Sequence, residues 1–314
     1  MRLFRHPTAG VPRGSVIAIG NFDGLHVGHR AVIEAARGIA QEKGVPLALL
    51  TFEPHPRSVF APGGKPFRLT PFHAKTRLLT EAGIDLLFTL RFDRAFAAQS
   101  AEDFARRLLA ERLGVGHVVI GSDFTFGHKR TGNATLLADM AGALGFAVTV
   151  LEPVADASGK ICSASRIRAH IEEGRIKEAS LLLGRSWEIE GHVRSGDRRG
   201  RTLGFPTANL AMANYLHPAA GVYAVRAGIV ENGRVAWHDG VANFGRRPTF
   251  DGADWRLETH LLDFSGDLYG RSLRIAFVDF IRPDAKFADA DALVAAMRDD
   301  ARKARDILAR GERR

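Results

Sequence analysis

Ser15-Val16-Ile17-Ala18-Ile19-Gly20-Asn21-Phe22-Asp23-Gly24-Leu25-His26-Val27-Gly28-His29 is the stretch on which the reading of this chain turns. Its first six residues form a short apolar run of the kind found in buried strands. The residues after it carry helical periodicity, which predicts a helix over 28–43. A strand that passes through a glycine-rich turn into a helix begins a parallel α/β unit. In such sheets ligands collect beyond the carboxyl ends of the strands, where helix N-termini offer free N–H groups and a positive dipole end. Gly20, Gly24 and Gly28 let the backbone approach a phosphate closely. His26 and His29, three apart, face one spot if they open a helical turn, and imidazoles there hydrogen-bond phosphate oxygens and stabilise developing charge. An isolated H-x-x-H would more simply be two surface histidines or half a metal site; its place after the first strand favours phosphate.

Working outward, strands are predicted at 46–52, 86–92, 117–121 and 146–154, with helices at 71–83, 100–114 and 133–145 between them. Alternation at this spacing predicts an α/β, doubly wound parallel sheet. Two short helices, 165–174 and 176–183, end at Gly184, and there the rhythm changes. Trp187–Val193, Gly221–Val230, Arg234–Phe244, Arg256–Phe264 and Ser272–Ile281 alternate apolar and polar residues. Turns at Glu231-Asn232-Gly233 and Asp251-Gly252 separate some of them, predicting a small antiparallel β-barrel closed by a C-terminal helix over 288–310. The expected domains are 1–184 and 185–314.

Composition narrows the possibilities. The chain has 314 residues, 46% of them hydrophobic and 25% charged, which suits one or two ordinary cores. Its single cysteine, Cys162, excludes an intrachain disulfide framework and fits a cytoplasmic protein. The opening MRLFRHPTAGVPRG lacks the apolar core of a secretory signal, and no apolar run is long enough to span a membrane. Lys and Arg exceed Asp and Glu by six in residues 1–184 (23 against 17) and by three in 185–314 (21 against 18). That excess suits polyanionic small molecules or nucleic acid equally well.

Further strings add chemistry. Cys162-Ser163-Ala164-Ser165-Arg166-Ile167-Arg168 opens the helix after the last parallel strand, where a serine is ordinarily an N-cap. Phe124 and Phe126, in Gly121-Ser122-Asp123-Phe124-Thr125-Phe126-Gly127, are placed to stack on a flat ring or simply to pack their loop. Thr51–Pro56 ends the second strand, and Arg130 lies close enough in sequence to meet a phosphate. In the second half, Gly200-Arg201-Thr202-Leu203-Gly204-Phe205-Pro206-Thr207-Ala208-Asn209 follows a glycine- and arginine-rich loop. A solvated hairpin accounts for the arginines. It does not account for Thr207 and Asn209, two hard oxygen ligands projecting to one side of an extended segment. Leu257-Glu258-Thr259-His260 places a carboxylate that is either an exposed strand glutamate or, facing the barrel interior beside Thr207 and Asn209, a general base.

G-x-F-D-x-x-H-x-G-H resembles the signature of the HxGH nucleotidyltransferase superfamily, and Ser163–Arg168 its second element, with Ala164 where a serine is expected. G-R-x-L-G-F-P-T-A-N resembles the riboflavin kinase motif, and Asn243–Phe250 and Glu258–Phe264 look like that family's later segments. With the motifs in order from about residue 14 to 305, the chain resembles the bifunctional bacterial riboflavin kinase/FAD synthetase (FMN adenylyltransferase) family. The resemblance implies that riboflavin is phosphorylated to FMN, which is then adenylylated to FAD, ATP serving both steps with Mg²⁺. It implies His26, His29, Arg168 and Glu258 as catalytic groups. Gly20, Asn21, Phe22, Asp23, Gly28, Ser163, Ser165 and Arg166 would hold ATP in the first half, and Gly200, Arg201, Gly204 and Thr207 in the second. Flavin would meet Asp123, Phe124, Phe126, Arg130, Asn133, Asn243 and Arg247, and Mg²⁺ would meet Thr207 and Asn209. Small-molecule partners are expected, not nucleic acid or membrane. The competing readings are a riboflavin kinase whose adenylyltransferase half is weakened at Ala164, a basic RNA-binding protein, and a flavin-storage module without catalysis.

Overall fold

The computed structural model describes residues 1–5, 11–194, 205–212, 214–249 and 252–311. The strand predicted from the opening stretch is β2 (Val16–Ile19), all four residues buried. It lies inside a six-stranded parallel sheet with β1 (Arg2–Phe4), β3 (Leu47–Glu53), β4 (Leu86–Arg91), β5 (His117–Gly121) and β8 (Ala147–Leu151). The strand order is β1-β4-β3-β2-β5-β8. Every pairing is parallel. Between β5 and β8 runs a small hairpin, β6 (Thr125–Phe126) with β7 (Gly132–Asn133).

Alternate residues of these strands feed two cores. Ile17, Ile19, Leu50 and Phe88 pack with Phe104, Leu108 and Leu137 on one face. Val16, Ala18, Leu49 and Leu87 pack with Ile33, Ala36 and Leu79 on the other. Burial on both faces explains why the strands read as continuous apolar runs. The helices that cover them are α1 (Val27–Lys43), α2 (Pro56–Phe60), α3 (Phe72–Glu81), α4 (Arg94–Ala97), α5 (Ala101–Asp103) and α6 (Ala134–Leu144). The helix predicted over 100–114 is α5 followed by ten residues of π-helix, Phe104–Leu113, ending at Gly114 in the left-handed region. The sheet is the doubly wound one expected, with one addition: β1, an edge strand of three residues, too short to stand out from its flanks.

After α7 (Ala164–Glu172) and α8 (Ile176–Leu183) comes the antiparallel sheet. It contains β9 (Trp187–His192), β10 (Ala208–Ala211), β11 (Gly221–Glu231), β12 (Arg234–Thr249), β13 (Gly252–Leu261) and β14 (Ser272–Pro283), in the order β10-β13-β12-β11-β14-β9. The sheet curls so that its two edges meet at an antiparallel bridge between Arg194 and Asn209. Helix α9 (Ala290–Gly311) closes one side, with Ala304 and Leu308 against Ala224 and Leu262.

The chain forms two compact units. One comprises Met1–Lys65 with Thr70–Ser163, and the other Pro66–Leu69 with Ala164–Arg314. Within the second unit, Pro66–Leu69 is well anchored. Leu69 O accepts from the Trp187 indole N–H at 3.0 Å and Phe67 O from Arg168 Nε at 2.8 Å. Arg68 O accepts from Leu216 N at 2.8 Å.

Candidate active sites

In the first sheet β2 sits where the strand order reverses, with β3 and β4 to one side and β5 and β8 to the other. The crevice at such a switch point, beyond the carboxyl ends, is where open α/β sheets bind ligands. Gly20–His26 leaves β2 at that end. His26 is the N-cap of α1, and its Nδ1 accepts from His29 N at 3.3 Å. The imidazoles of His26 and His29 stack with centroids 3.7 Å apart at 21°, so the three-residue spacing does bring them to one spot. A Cβ on Gly28 would lie 3.2 Å from two atoms of the His26 ring, so the glycine makes room for that ring. Phe22 closes the other flank, its ring 5.2 Å from that of His29.

Asp23 is 1% exposed and its Oδ1 accepts from Thr70 N at 2.9 Å and Thr70 Oγ1 at 3.3 Å. Asn21 O accepts from Lys75 Nζ at 2.8 Å and from Thr51 Oγ1 at 3.2 Å. Lys75, 0% exposed, also pairs with Glu53 at 3.1 Å. Thr70 and Lys75 escaped the sequence reading because their partners lie about fifty positions away; the only signal was a lysine on the core face of a helix.

On the loop after β5, the rings of Phe124 and Phe126 are 5.5 Å apart and stacked. Phe126 is buried and packs 5.0 Å from Phe104, so its ring belongs to the core, while Phe124 is half-buried. The row of rings continues through Phe96 and Phe92 to Phe60, which is 67% exposed. Asp123, Arg130 and Asn133 are exposed, and Asn133 Oδ1 caps α6 by accepting from Leu136 N at 2.8 Å. In the second phosphate element Ser163 belongs to the first compact unit, and Ala164, Ser165, Arg166 and Arg168 to the second.

In the antiparallel sheet Asn209 pairs with Glu258, and Glu258 with Asn243, across three neighbouring strands. Directly paired residues project from the same face. Asn209, Glu258 and Asn243 therefore form one row, and Thr207 stands two residues before Asn209, just ahead of β10. That face is not the interior. The buried positions are Ala208, Leu210, Leu257, Thr259, Ala242 and Phe244. Of the two placements open to Glu258, the structure has the one outside the interior: Leu257 and Thr259 flank it in sequence and take the inward places. His260 Nδ1 donates to Pro206 O at 2.9 Å, fixing the peptide that precedes Thr207. Gly200, Arg201 and Gly204 lie outside the described residues, as does the side chain of Arg247.

The two arrangements lie on separate sheets, each inside a region that matches a family of group-transferring enzymes. The FAD synthetase family model matches residues 9–165, and the riboflavin kinase model residues 183–308. A bifunctional riboflavin kinase/FMN adenylyltransferase of Escherichia coli K12 is 38% identical over 98% of both chains. The protein of the same description from Listeria monocytogenes is 40% identical over 95% of this chain and 93% of its own. A solved structure titled macrolide-efflux protein, from Streptococcus pneumoniae, superposes with a TM-score of 0.87 at 31% identity, covering 97% of this chain and 99% of that one. Among the described residues no helix is long and apolar enough to cross a membrane. The chain belongs to the bifunctional riboflavin kinase/FMN adenylyltransferase family, whose two ATP-dependent reactions lead from riboflavin through FMN to FAD.

Proposed function

We propose that this chain carries out both reactions, with the histidine loop serving adenylyl transfer and the Asn209–Glu258–Asn243 row serving the kinase. The paired register of that row is the observation that carries the kinase assignment. Glu258 accepts the proton of the ribityl 5′-hydroxyl as its oxygen attacks the γ-phosphorus of ATP. Thr207 and Asn209 supply hard oxygens beside it. Among the described residues no cluster of three His, Cys, Asp or Glu side chains is arranged to hold a metal. A cation here would be held by the Thr207 hydroxyl and the Asn209 amide oxygen together with substrate phosphates, a donor set that fits Mg²⁺. When bound, Mg²⁺ neutralises charge on the phosphates.

In adenylyl transfer an FMN phosphate oxygen attacks the α-phosphorus of ATP and pyrophosphate leaves. The protein's share is positioning and charge stabilisation. His26 and His29 face the phosphates from the N-terminus of α1, with Gly20–Asp23 and Gly28 lending close backbone approach. Ser163, Ser165, Arg166 and Arg168 complete the triphosphate contacts. Phe124 and the ring row ending at Phe60 offer apolar surface to the isoalloxazine, beside Asp123, Arg130 and Asn133. Asn243 and Arg247 would meet the flavin of the kinase step. The functional boundary is placed at 184/185, and a cytoplasmic setting suits the substrates.

Incubating the protein with riboflavin, ATP and Mg²⁺ should give FMN and then FAD. Glu258→Gln should abolish FMN formation while FMN supplied directly is still converted to FAD. Undiminished kinase turnover in that variant would remove Glu258 as the base. Absence of FAD from the unaltered protein would end the two-step reading.

A further inference from the structure

The loop leaving β2 is held in an unusual backbone shape. Phe22 (φ +49°) and Leu25 (φ +44°) adopt left-handed conformations with full side chains, and Gly24 (φ +87°) lies between them. Such residues persist only where the surroundings over-determine them. Besides Thr51 on β3, which donates to Asn21 O, restraint comes from the segment that leads into and opens α3. Thr70 gives both its N–H and its hydroxyl hydrogen to Asp23 Oδ1, and its oxygen accepts from Gly24 N at 2.8 Å. Five residues on, Lys75 donates to Asn21 O. Thr70 is 3% and Lys75 0% exposed, so both act from beneath the loop and out of reach of a substrate.

Their effect follows from peptide geometry. The C=O of Asn21 and the N–H of Phe22 belong to one trans peptide and point in opposite directions. With the carbonyl drawn onto Lys75, the Phe22 N–H points away from the ammonium and is left for a phosphate oxygen. The Thr70–Asp23–Gly24 hydrogen bonds fix the next turn, immediately before the cap residue His26.

We propose that Thr70 and Lys75 are positioning residues for adenylyl transfer, holding Phe22, Gly24 and Leu25 in left-handed conformations so that the Phe22 N–H is presented to the ATP phosphates. This rests on the reading that the loop binds those phosphates. The second reaction of the same chain is the internal control. Thr70→Val keeps the shape and loses the hydroxyl, whereas Thr70→Ser keeps the hydroxyl. In the full-length protein Thr70→Val should lower kcat/KM for FMN adenylylation by about 10- to 100-fold, the cost expected of a misplaced site. KM for ATP should rise more than KM for FMN, riboflavin phosphorylation should stay within about twofold of the unaltered protein, and Thr70→Ser should restore FAD formation. Lys75→Met should show the same selective loss. Adenylylation within about twofold of normal in Thr70→Val or Lys75→Met would overturn the proposal. So would Thr70→Ser being as impaired as Thr70→Val, including the case where valine costs both reactions. An unaltered protein that makes FMN but no FAD would instead remove the underlying reading, before any variant is compared.

Discussion

Gly28 shows how narrowly a single residue is constrained at the first site. It lies in the first turn of α1, where alanine is intrinsically better than glycine by about 1 kcal/mol. Yet an added Cβ would press to 3.2 Å on the His26 ring, with Cys162 O 3.6 Å away on another side. Gly28→Ala is therefore expected to leave thermal stability unchanged or slightly raised while cutting the rate of FAD formation about tenfold or more. Rates of both reactions and a melting curve on one preparation check this, and normal FAD formation would show that the ring pair tolerates displacement. The histidine motif was legible in the sequence because its geometry is local: a cap, a three-residue spacing and a glycine are all contained in four positions. Asp23 was legible only as a member of the motif. Its tie to Thr70 spans 47 positions, and no local pattern announces such a partner.

For whole elements, legibility followed periodicity. The buried parallel strands and most helices were located within a few residues, because a continuous apolar run or a 3.6-residue repeat is a strong signal. The edge strand β1 and the π-helical winding of 104–113 were not, since a three-residue strand and an altered hydrogen-bond register leave no clear trace in residue order. For β13 the strand is legible, while the motif alone leaves open which face carries Glu258. Leu257, Thr259 and Leu261 make the less polar of the two rows, and weighing both rows would have sent Glu258 outward. The docking of α9 depends on a contact of the same long-range kind. On β14 the single Nε–H of Arg282 is shared between Asp300 Oδ1 (2.9 Å) and Oδ2 (3.2 Å), and Nη2 donates to Oδ2 at 2.7 Å; Asp300 is 4% exposed. Asp300→Ala should destabilise the second unit by about 1–3 kcal/mol, since it leaves a half-buried guanidinium with Pro283 O in place of its carboxylate partner. The three tryptophans, Trp187, Trp237 and Trp255, all belong to that unit. Tryptophan fluorescence during urea unfolding therefore reads the loss there, and an unchanged midpoint would show that the clamp adds nothing.

Across the whole molecule, the order of the two activities along the chain suggests separable halves, and the family models divide it in the same way. The compact units do not follow that line. Helices α7 and α8 and the four residues Pro66–Leu69 fold with the antiparallel sheet, although the latter lie deep within the first family region. A fragment comprising residues 164–314 is predicted to unfold at lower urea than the second unit of the intact chain. Its Trp187 indole, Leu216 amide and Arg168 guanidinium would each lose a carbonyl acceptor. Equal midpoints for fragment and intact chain would show that the borrowed segment is dispensable.

That borrowing also bears on how the two catalysts could ever part company in evolution. A gene split at any one codon hands the second product an incomplete fold or strips the first of its middle. If the fragment is weakened as expected, stable divorce of the activities would need a replacement for Pro66–Leu69 before the split.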